Sequence, residues 1–348
     1  MAVTIRDVAK QARVSVASVS RALNGHSNMS QATRQRILDA AAALRYVPHA
    51  SARSLITRRH HAIGALLPDM HGEFFSELIR GIDLAARERG LYLLVSSFHG
   101  DARALAAASR AMQGRVDGML VMSPHADADF TRDELPQALP IVLLNAPPNN
   151  THHPTLNVDN FGGANAMVRH LIGRGHRHIA MIAGPEHNFD AAERLRGYRQ
   201  AMLACTGVAP QVLPGDFTEE GGYSAGVRLL AQKARPQAVF AANDVMAVGC
   251  LYALHEAGLR VPHDIAIAGF DDVPIARFVA PPLTTVRARI AELGRRAVEN
   301  LALQLDTPDA EPNRTQTLAC EIIVRESCGV APAVHSAGQR LRIIERQP

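Results

Sequence analysis

The chain of 348 residues contains no tryptophan, only 4% aromatic residues and only four cysteines. The cysteines, at positions 205, 250, 320 and 328, lack any C-x-x-C spacing, which argues against a disulfide scaffold or a cysteine zinc site. We interpret them as buried small side chains of a protein in a reducing compartment. No run of about 18 apolar residues occurs that could span a membrane. The N-terminal stretch MAVTIRDVAKQA is polar where a secretory signal is apolar, so we expect a cytoplasmic protein.

The signatures of common α/β enzymes and of metal sites are missing as well. The chain has no G-x-G-x-x-G after a first strand, no G-x-x-x-x-G-K-[ST] and no G-x-S-x-G, so we expect no enzymatic activity and no cofactor. Sixteen histidines raise the question of a metal site. Their pairs, at positions 60/61, 152/153 and 176/178, lack the i, i+4 helical spacing with a cysteine or carboxylate partner that would specify one. We therefore expect no bound metal.

Positive charge is concentrated at the N-terminal end of the chain. Residues 1–60 carry ten basic and two acidic side chains, a net charge of +8, so the remaining residues carry −4 of the total of +4. A basic segment on an acidic body favours binding to a phosphate backbone, where condensed counterions are released. The alternative is a solvated basic face without a partner.

Three short helices are predicted within this basic segment. Thr4 and Asp7 form a capping box that begins the first helix, and Ser15 caps a second helix that ends before Gly25. Ser30 caps a third helix, whose apolar residues close a small core over the other two. Three short helices with a tight turn between the first two are typical of an all-α helix-turn-helix headpiece.

In such a unit the start of the second helix reads bases in the major groove. Arg21 can donate two hydrogen bonds to a guanine, whereas Val16 and Ala17 can only contact thymine methyl groups. Polar side chains around them are predicted to contact phosphates, namely Thr4, Ser15, Ser18, Ser20, Asn24 and Thr33. For each serine the alternative is a helix cap or an exposed polar residue with no role in DNA binding.

The stretches TIRDVAKQARVSVASVSRALNG and YVPHASARSL resemble the headpiece of the LacI/GalR family of bacterial transcriptional regulators, and the similarity continues to about residue 328. The resemblance implies a helix-turn-helix domain over residues 1–46 and a hinge over 47–60 that folds when two copies meet over the minor groove. Leu55 would be the side chain that wedges between base steps and kinks the duplex, although it could instead be an ordinary linker residue. His49 departs from the asparagine that is frequent in relatives.

From residue 61 onward, apolar runs alternate with amphipathic helices, as in a parallel α/β sheet. Strands are predicted at 62–67, 91–96, 116–122, 141–144, 178–183, 238–242 and 264–270. This is about twice the sheet of one doubly wound unit, which predicts two similar lobes. The resemblance implies a periplasmic-binding-protein type I core over 61–330, with crossovers near 158–162 and 284–290. One lobe would comprise about 61–160 and 290–317, the other about 161–289 and 318–330, and residues 331–348 would be a flexible tail.

Ligands of open α/β sheets bind beyond the carboxyl ends of the strands. Arg194 and Asp271 match the paired effector contacts of the family. The other predicted effector residues are Phe74, Phe75, Asn145, Asn188, Asp190, Phe217 and Asn243. Of Phe74 and Phe75, one is expected in the core and the other in the cleft. Amide and carboxylate groups suit a polyol, and Phe217 could stack on a sugar ring. Asp244 and Asp272 are interpreted as structural, since aspartate often caps a helix.

These observations favour a ligand-responsive repressor of a carbohydrate-utilisation operon, with a sugar or sugar derivative in the interlobe cleft. A purine or nucleoside effector is the alternative. The arginine that a purine-responsive relative carries at the position of Asn188 is absent here, and this favours a sugar. An α/β enzyme and a secreted solute-binding protein are disfavoured by the missing motifs and by the basic headpiece. The tail has no leucine heptad, so a homodimer on a palindromic operator is expected.

Overall fold

A computed structural model describes residues 3–23, 29–46, 59–124, 135–136, 138–147, 153–203, 208–307 and 315–329. The chain divides into two compact units, Met1–His60 and His61–Pro348. Each unit is built around its own hydrophobic core. We refer to them as the headpiece and the core unit.

Three helices form the headpiece: α1 (Ile5–Ala12), α2 (Val16–Leu23) and α3 (Gln31–Ala43). Thr4 and Asp7 form the predicted capping box of α1, and the Ser30 side chain accepts a hydrogen bond from the Thr33 amide at the start of α3. The buried residues repeat at helical spacing on all three helices; they are Val8, Ala9, Ala12, Val19, Ala22, Ile37, Ala40 and Ala41. The three predicted helices are therefore confirmed, and one small apolar core fixes them to one another.

The first sheet of the core unit has six parallel strands in the order β11-β5-β4-β3-β1-β2. Its strands are β1 (Ala62–Leu67), β2 (Tyr92–Ser97), β3 (Gly118–Met122), β4 (Ile141–Leu144), β5 (Thr155–Val158) and β11 (Thr315–Leu318). Helices α4 (Glu73–Glu88), α5 (Ala102–Met112) and α10 (Ile290–Asp306) pack on it. This sheet with its helices is the first lobe.

In the described part of the chain the second sheet also has six strands, in the order β12-β10-β9-β8-β6-β7; β10 pairs with β12 in antiparallel fashion, and the other pairings there are parallel. Its strands are β6 (Ile179–Ile182), β7 (Gln211–Leu213), β8 (Ala238–Ala241), β9 (Ala266–Asp271), β10 (Thr284–Arg287) and β12 (Glu321–Ile323). Its helices are α6 (Asn160–Gly173), α7 (Phe189–Met202), α8 (Glu219–Leu230) and α9 (Asp244–Glu256). Short 3-10 helices lie at Pro274–Arg277 and Glu326–Cys328. This is the second lobe.

The chain passes between the lobes three times: after β5, after β10 and between β11 and β12. The two sheets, each with helices packed on it, confirm the predicted fold class. All seven predicted strands exist; those at 62–67 and 141–144 match at both ends, and the ends of the others differ by at most two residues. The strong signals were the continuous apolar runs, because strands covered on both faces by helices are apolar throughout.

Of the twelve strands in the described residues, seven were predicted from apolar runs, and β12 lies within residues 318–330, which the resemblance assigned to the second lobe. The other four were missed, among them residues 284–287, which were predicted only as part of a crossover. These are β5 (TLNV), β7 (QVL), β10 (TTVR) and β11 (TQTL), each only three or four residues long. Three of them carry threonine, and none has the long apolar run by which the other strands were found. Burial of the threonines at 155, 284 and 285 is decided by neighbouring strands, which are distant in sequence.

Candidate functional site

The outer face of α2 carries the three residues predicted to read bases. Val16 is 41% exposed, and Ala17 and Arg21 are exposed as well, while Val19 and Ala22 on the opposite face are buried. Arg21 Nε donates to the Ala17 carbonyl oxygen at 3.3 Å, so the guanidinium lies over the first turn of the helix. The predicted base-reading residues therefore share one exposed face.

The hydroxyl groups predicted to bind phosphate take part in helix caps. Ser15 Oγ accepts from the Ser18 amide at 3.1 Å and lies 2.9 Å from Ser18 Oγ. Thr4 Oγ1 donates to Asp7 at 2.7 Å, and Ser30 Oγ donates to Thr33 Oγ1 at 2.9 Å. A capping hydroxyl group lies at a helix N-terminus, where anions are also stabilised. The contacts are therefore compatible both with a helix cap and with a phosphate contact. Ser20 is half-buried; Asn24 and Leu55 lie outside the described residues.

Arg194 is the centre of the buried polar cluster in the core unit. The residue is on α7 and is 3% exposed. Its Nη2 donates to Asp271 Oδ1 at 3.0 Å, its Nε donates to Asn160 Oδ1 at 2.8 Å, and its Nη1 donates to the Ala242 carbonyl oxygen. The guanidinium also stacks on the ring of Phe270, 3.8 Å from its centroid. Hydrogen bonds from Nε, Nη1 and Nη2 hold the planar guanidinium in place, so it in turn orients the side chains that accept from it.

Asp190 connects the two lobes. Its Oδ2 accepts from Asn145 Nδ2 and its Oδ1 accepts from Asn160 Nδ2, both at 2.8 Å. Asn145 follows β4 of the first lobe, whereas Asp190 lies on α7 of the second lobe. The hydrogen bond between Asn145 and Asp190 therefore links the two lobes directly.

Two buried carboxylates share the single guanidinium of Arg194. Burial raises the pKa of Asp190 to about 7 and that of Asp271 to about 6, although Arg194 acts on both in the opposite direction. The negative charge of Asp271 raises the pKa of Asp190 further. One cation does not compensate two buried carboxylates, so the cluster carries an excess of negative charge whenever both are ionised.

Asn188 and Asn243 are the N-caps of α7 and α9. Asn188 Oδ1 accepts from the Ala191 amide at 3.0 Å, and Asn243 Oδ1 accepts from the Met246 amide at 2.9 Å. Asn243 Nδ2 donates to the Phe217 carbonyl oxygen at 3.2 Å, and this bond helps to place the Phe217 ring, whose centroid is 5.8 Å from the Arg194 guanidinium. Both asparagines thus place helix N-termini beside the cluster.

Phe74 and Phe75 lie at the start of α4. Their rings meet edge to face with centroids 5.3 Å apart, and both are half-buried against the main core. The sequence predicted that one would be in the core and the other in the cleft. The structure does not separate them in this way, because the edge-to-face pair covers one patch of the core together.

Asp244 and Asp272 have structural partners. Asp244 accepts from the Val273 amide at 2.9 Å and from the Thr285 hydroxyl, and its burial raises its pKa well above the usual value. The helix cap expected at Asp244 is instead made by Asn243. Asp272 accepts hydrogen bonds from Arg287, at 2.7 Å, and from Arg325. Both aspartates thus tie β9 and β10 to their surroundings.

Nine described residues other than glycine have positive φ, and four of them lie in or next to the candidate site: Asn145 (48°), Phe217 (69°), Asp271 (113°) and Asp272 (57°). A residue other than glycine adopts such a conformation at a cost, least for asparagine, and such residues cluster at ligand sites. Three of the four belong to the predicted effector set. The surrounding contacts therefore hold the local backbone in a conformation that these residue types rarely adopt by themselves.

A cavity of about 370 Å³ lies between the lobes. It is lined from the first lobe by α4 and the start of α10, and from the second lobe by the segment after β9 and by Arg287. Four arginines and four carboxylates line it, and Asp271 is the only one of the nine predicted effector residues among them. Asp271 therefore lies between this open space and the closed cluster around Arg194.

Asn160 was missed by the sequence analysis, although it joins Arg194 to Asp190. It directly follows Asp159, which caps α6 after β5. The signal was its position just beyond a strand, but β5 itself was not recognised. Detection of that short strand would have placed Asn160 in the candidate site by the same rule as the other residues.

Among the described residues, no group of three or more His, Cys, Asp or Glu side chains is arranged to hold a metal ion. No helix in the described part of the chain is long and apolar enough to cross a membrane.

Comparisons with known proteins agree with the geometry of both units. Residues 4–49 match the family of bacterial regulatory proteins of the lacI type, and residues 168–328 match the periplasmic binding protein-like domain. The HTH-type transcriptional repressor CytR of Escherichia coli K12 is 36% identical over 95% of this chain and 98% of its own length. The ribose operon repressor of the same strain is 36% identical over 90% of this chain and 96% of its own length.

A solved lac repressor dimer, bound to operator and the anti-inducer ONPF, superimposes with a TM-score of 0.86. The match has 27% identity and covers 94% of this chain and 99% of that chain. The two repressors that are 36% identical over nearly the whole length of this chain establish the family, and the lac repressor shares its fold. The chain belongs to the LacI family and is a ligand-responsive, DNA-binding transcriptional regulator.

Proposed function

We propose that this protein is a homodimeric repressor whose DNA affinity is controlled by a neutral, hydroxyl-rich effector, with D-ribose as the first candidate. The observation that carries this proposal is the hydrogen bond between Asn145 and Asp190, which crosses the two lobes inside a buried cluster. A ligand that competes for these groups must bind the two lobe arrangements with different affinities. That difference is what an effector needs in order to control DNA binding.

The chemistry of the cluster supports a polyol. Asp190 and Asp271 are acceptors, Arg194 is a donor, and the Phe217 ring is close enough to cover an apolar face of a sugar. A phosphorylated effector fits poorly beside two carboxylates that share one arginine. Similarity to the ribose operon repressor supports D-ribose in particular. The remaining predicted contacts, Asn188, Asn243, Phe74 and Phe75, would position the ligand or the elements around it.

DNA binding is assigned to the exposed face of α2. Val16, Ala17 and Arg21 would read bases, and the hydroxyl groups at the helix starts would contact phosphates. The lac repressor structure is a dimer on its operator, which supports a dimer and a palindromic operator for this chain. Residues 47–60 would then form the hinge, with Leu55 as the minor-groove wedge.

The deciding experiment is calorimetric titration of the full-length protein with D-ribose, D-glucose, cytidine and adenosine, followed by operator binding with each compound. We expect D-ribose to bind and to change operator affinity. The matched variants are Asp271→Asn, which should lose D-ribose binding, and Asp264→Asn on the surface, which should not. Binding of a nucleoside but not of D-ribose would replace the effector assignment. If none of the compounds binds in a way that Asp271→Asn abolishes, the cluster is not the effector site.

A further inference from the structure

Asn145 has a fixed backbone and a side chain with one unpartnered atom. Its amide donates to the Leu156 carbonyl oxygen at 3.1 Å, and the next residue, Ala146, is held by two hydrogen bonds with the side chain of Asn157. The side-chain Nδ2 donates to Asp190, but the buried Oδ1 has no hydrogen-bond partner. A buried acceptor without a donor is destabilising, so we expect this oxygen to accept a hydrogen bond from a donor supplied from outside the protein.

Asn160, the other asparagine that donates to Asp190, cannot turn its side-chain amide over. A guanidinium only donates, so Arg194 Nε requires the Oδ1 of Asn160 to face it. The Nδ2 of Asn160 must then face Asp190 Oδ1, to which it donates at 2.8 Å. Consequently Asp190 Oδ1 always receives a hydrogen bond. A proton on Asp190 has its place on Oδ2, which faces Asn145.

When Asp190 Oδ2 carries a proton, it needs a hydrogen-bond acceptor from Asn145 instead of a donor. Protonated Asp190 donates, so Asn145 must turn its own Oδ1 toward Asp190, and its Nδ2 then becomes the free atom. We propose that Asn145 is a proton-controlled specificity residue of the effector site. It presents a hydrogen-bond acceptor to the effector when Asp190 is ionised, and a donor when Asp190 is protonated. This inference rests on the proposed function, in which the effector occupies the cluster.

The surroundings of Asp190 place this change in the neutral range. Asn145 faces it from the end of β4, Asn160 from α6, Arg194 from its own helix and Asp271 from the end of β9. Burial and the charge of Asp271 raise the pKa of Asp190 to about 7, against the effects of Arg194 and the two amides. We therefore expect both states of Asn145 near neutral pH, and we expect a small change in pH to exchange them.

The first test needs no ligand. The full-length protein is labelled with ¹⁵N-asparagine, the Asn145 side-chain signal is identified by its loss in Asn145→Ser, and it is followed between about pH 6 and about pH 8. We expect this signal to shift with a midpoint near neutral pH, and to stop titrating in Asp190→Asn. The control Asp264→Asn, on the surface, should titrate like the wild type. A side-chain signal that stays constant in the wild type over this range overturns the proposal.

The second test concerns the effector contact. D-ribose is compared with its 2-, 3- and 5-fluoro-deoxy analogues, because a hydroxyl group both donates and accepts whereas fluorine only accepts. At one of the three positions, the affinity of the fluoro analogue should fall by about tenfold relative to that of D-ribose as the pH rises from about 6 to about 8. The protonated fraction of a group that titrates near 7 falls by about this factor over that range. The pH dependence should vanish in Asp190→Asn.

The outcomes of the two tests separate the inference from the proposed function. If Asn145 titrates but all analogues keep a constant ratio to D-ribose, Asn145 does not contact the effector and the specificity role is overturned. If D-ribose does not bind at either pH, the assignment of D-ribose fails, and the asparagine signal alone decides whether the protonation of Asp190 controls Asn145.

Discussion

Arg194 Nη2 lies 3.0 Å from Asp271 Oδ1, and this ion pair joins α7 to the end of β9 with both side chains almost fully buried. The same guanidinium reaches Asp190 through Asn160. A buried ion pair contributes little net stability by itself, because desolvation offsets most of the Coulomb attraction. Its main consequence is geometric: it fixes the positions of two carboxylates at the point where an effector is expected.

Replacement of Arg194 by alanine should destabilise the core unit strongly. The change leaves buried Asp190 and Asp271 without their cation, which costs about 3–5 kcal/mol for a broken buried pair. The loss should be larger at about pH 8 than at about pH 5, because both carboxyl groups can become neutral by protonation at the lower pH. Urea denaturation at the two pH values measures it. The control Arg196→Ala, which removes an exposed pair with Glu193, should cost less than about 1 kcal/mol. Equal, small losses for both variants would contradict the central role of Arg194.

The stability of the core unit should fall as the pH rises toward neutrality. The pKa values of Asp190 and Asp271 are raised from 3.8 to about 7 and about 6, so folding takes up protons between these limits. Their protonated forms stabilise the fold fully below about pH 4, and this contribution is lost as the pH rises through the folded pKa values. Asp190→Asn and Asp271→Asn should each flatten the dependence of the unfolding free energy on pH. Thermal unfolding between about pH 5 and about pH 8 tests this. If both variants reproduce the wild-type slope, the two carboxyl groups are not the source of it.

A second contact between the lobes is made by Glu73, the first residue of α4. Its Oε2 accepts from the Ile275 amide in the 3-10 helix after β9, at 2.8 Å. Glu73→Ala should weaken the lobe arrangement seen here and so change the dissociation rate of the effector, without loss of the binding groups. Stopped-flow release of D-ribose measures this rate. Asp83→Ala, further along α4, paired with Arg87 and away from the interlobe cavity, is the control. An unchanged rate in Glu73→Ala would show that this contact does not hold the lobes.

Arg21→Ala should remove the preference for one guanine in each half-site of the operator. Arg21 is the one predicted base-reading residue with hydrogen bonds to give, and the loss should be roughly 1–3 kcal/mol in each half-site. Selection from random DNA, followed by titration of the chosen sites, measures both effects. Arg228→Ala, exposed on α8 of the core unit, should leave the selected motif unchanged. Recovery of the wild-type motif with Arg21→Ala would exclude base reading by this residue.

Leu55→Ala tests the wedge implied by the family resemblance. The variant should bind operator more weakly and bend it less, because no apolar side chain would enter the base stack. Effector affinity should stay the same, since the change lies outside the core unit. A circular-permutation gel assay measures the bend, and a bend equal to that of the wild type would assign Leu55 to the linker alone.

Features that repeat locally were determined by the sequence by itself. The helix caps at Thr4, Ser15 and Ser30 and the apolar face of each headpiece helix follow from residues three or four positions apart. The seven apolar strands follow from runs of consecutive residues. The rule that ligands bind beyond strand ends put Asn145, Asp190, Arg194 and Asp271 in one predicted set, and hydrogen bonds through Asn160 connect these four residues in the structure.

Tertiary structure alone decided how these side chains pair. Asn145 and Asp190 are 45 residues apart, and Arg194 and Asp271 are 77 residues apart. Their distances depend on the order of the strands and on the passage of the chain between the lobes. The role of Asn160, the capping use of Asn243 and the raised pKa values of the aspartates also depend on burial by distant segments. Residue type supplied the chemical groups, whereas desolvation and the packing of the two lobes determine the charge and orientation in which those groups meet a ligand.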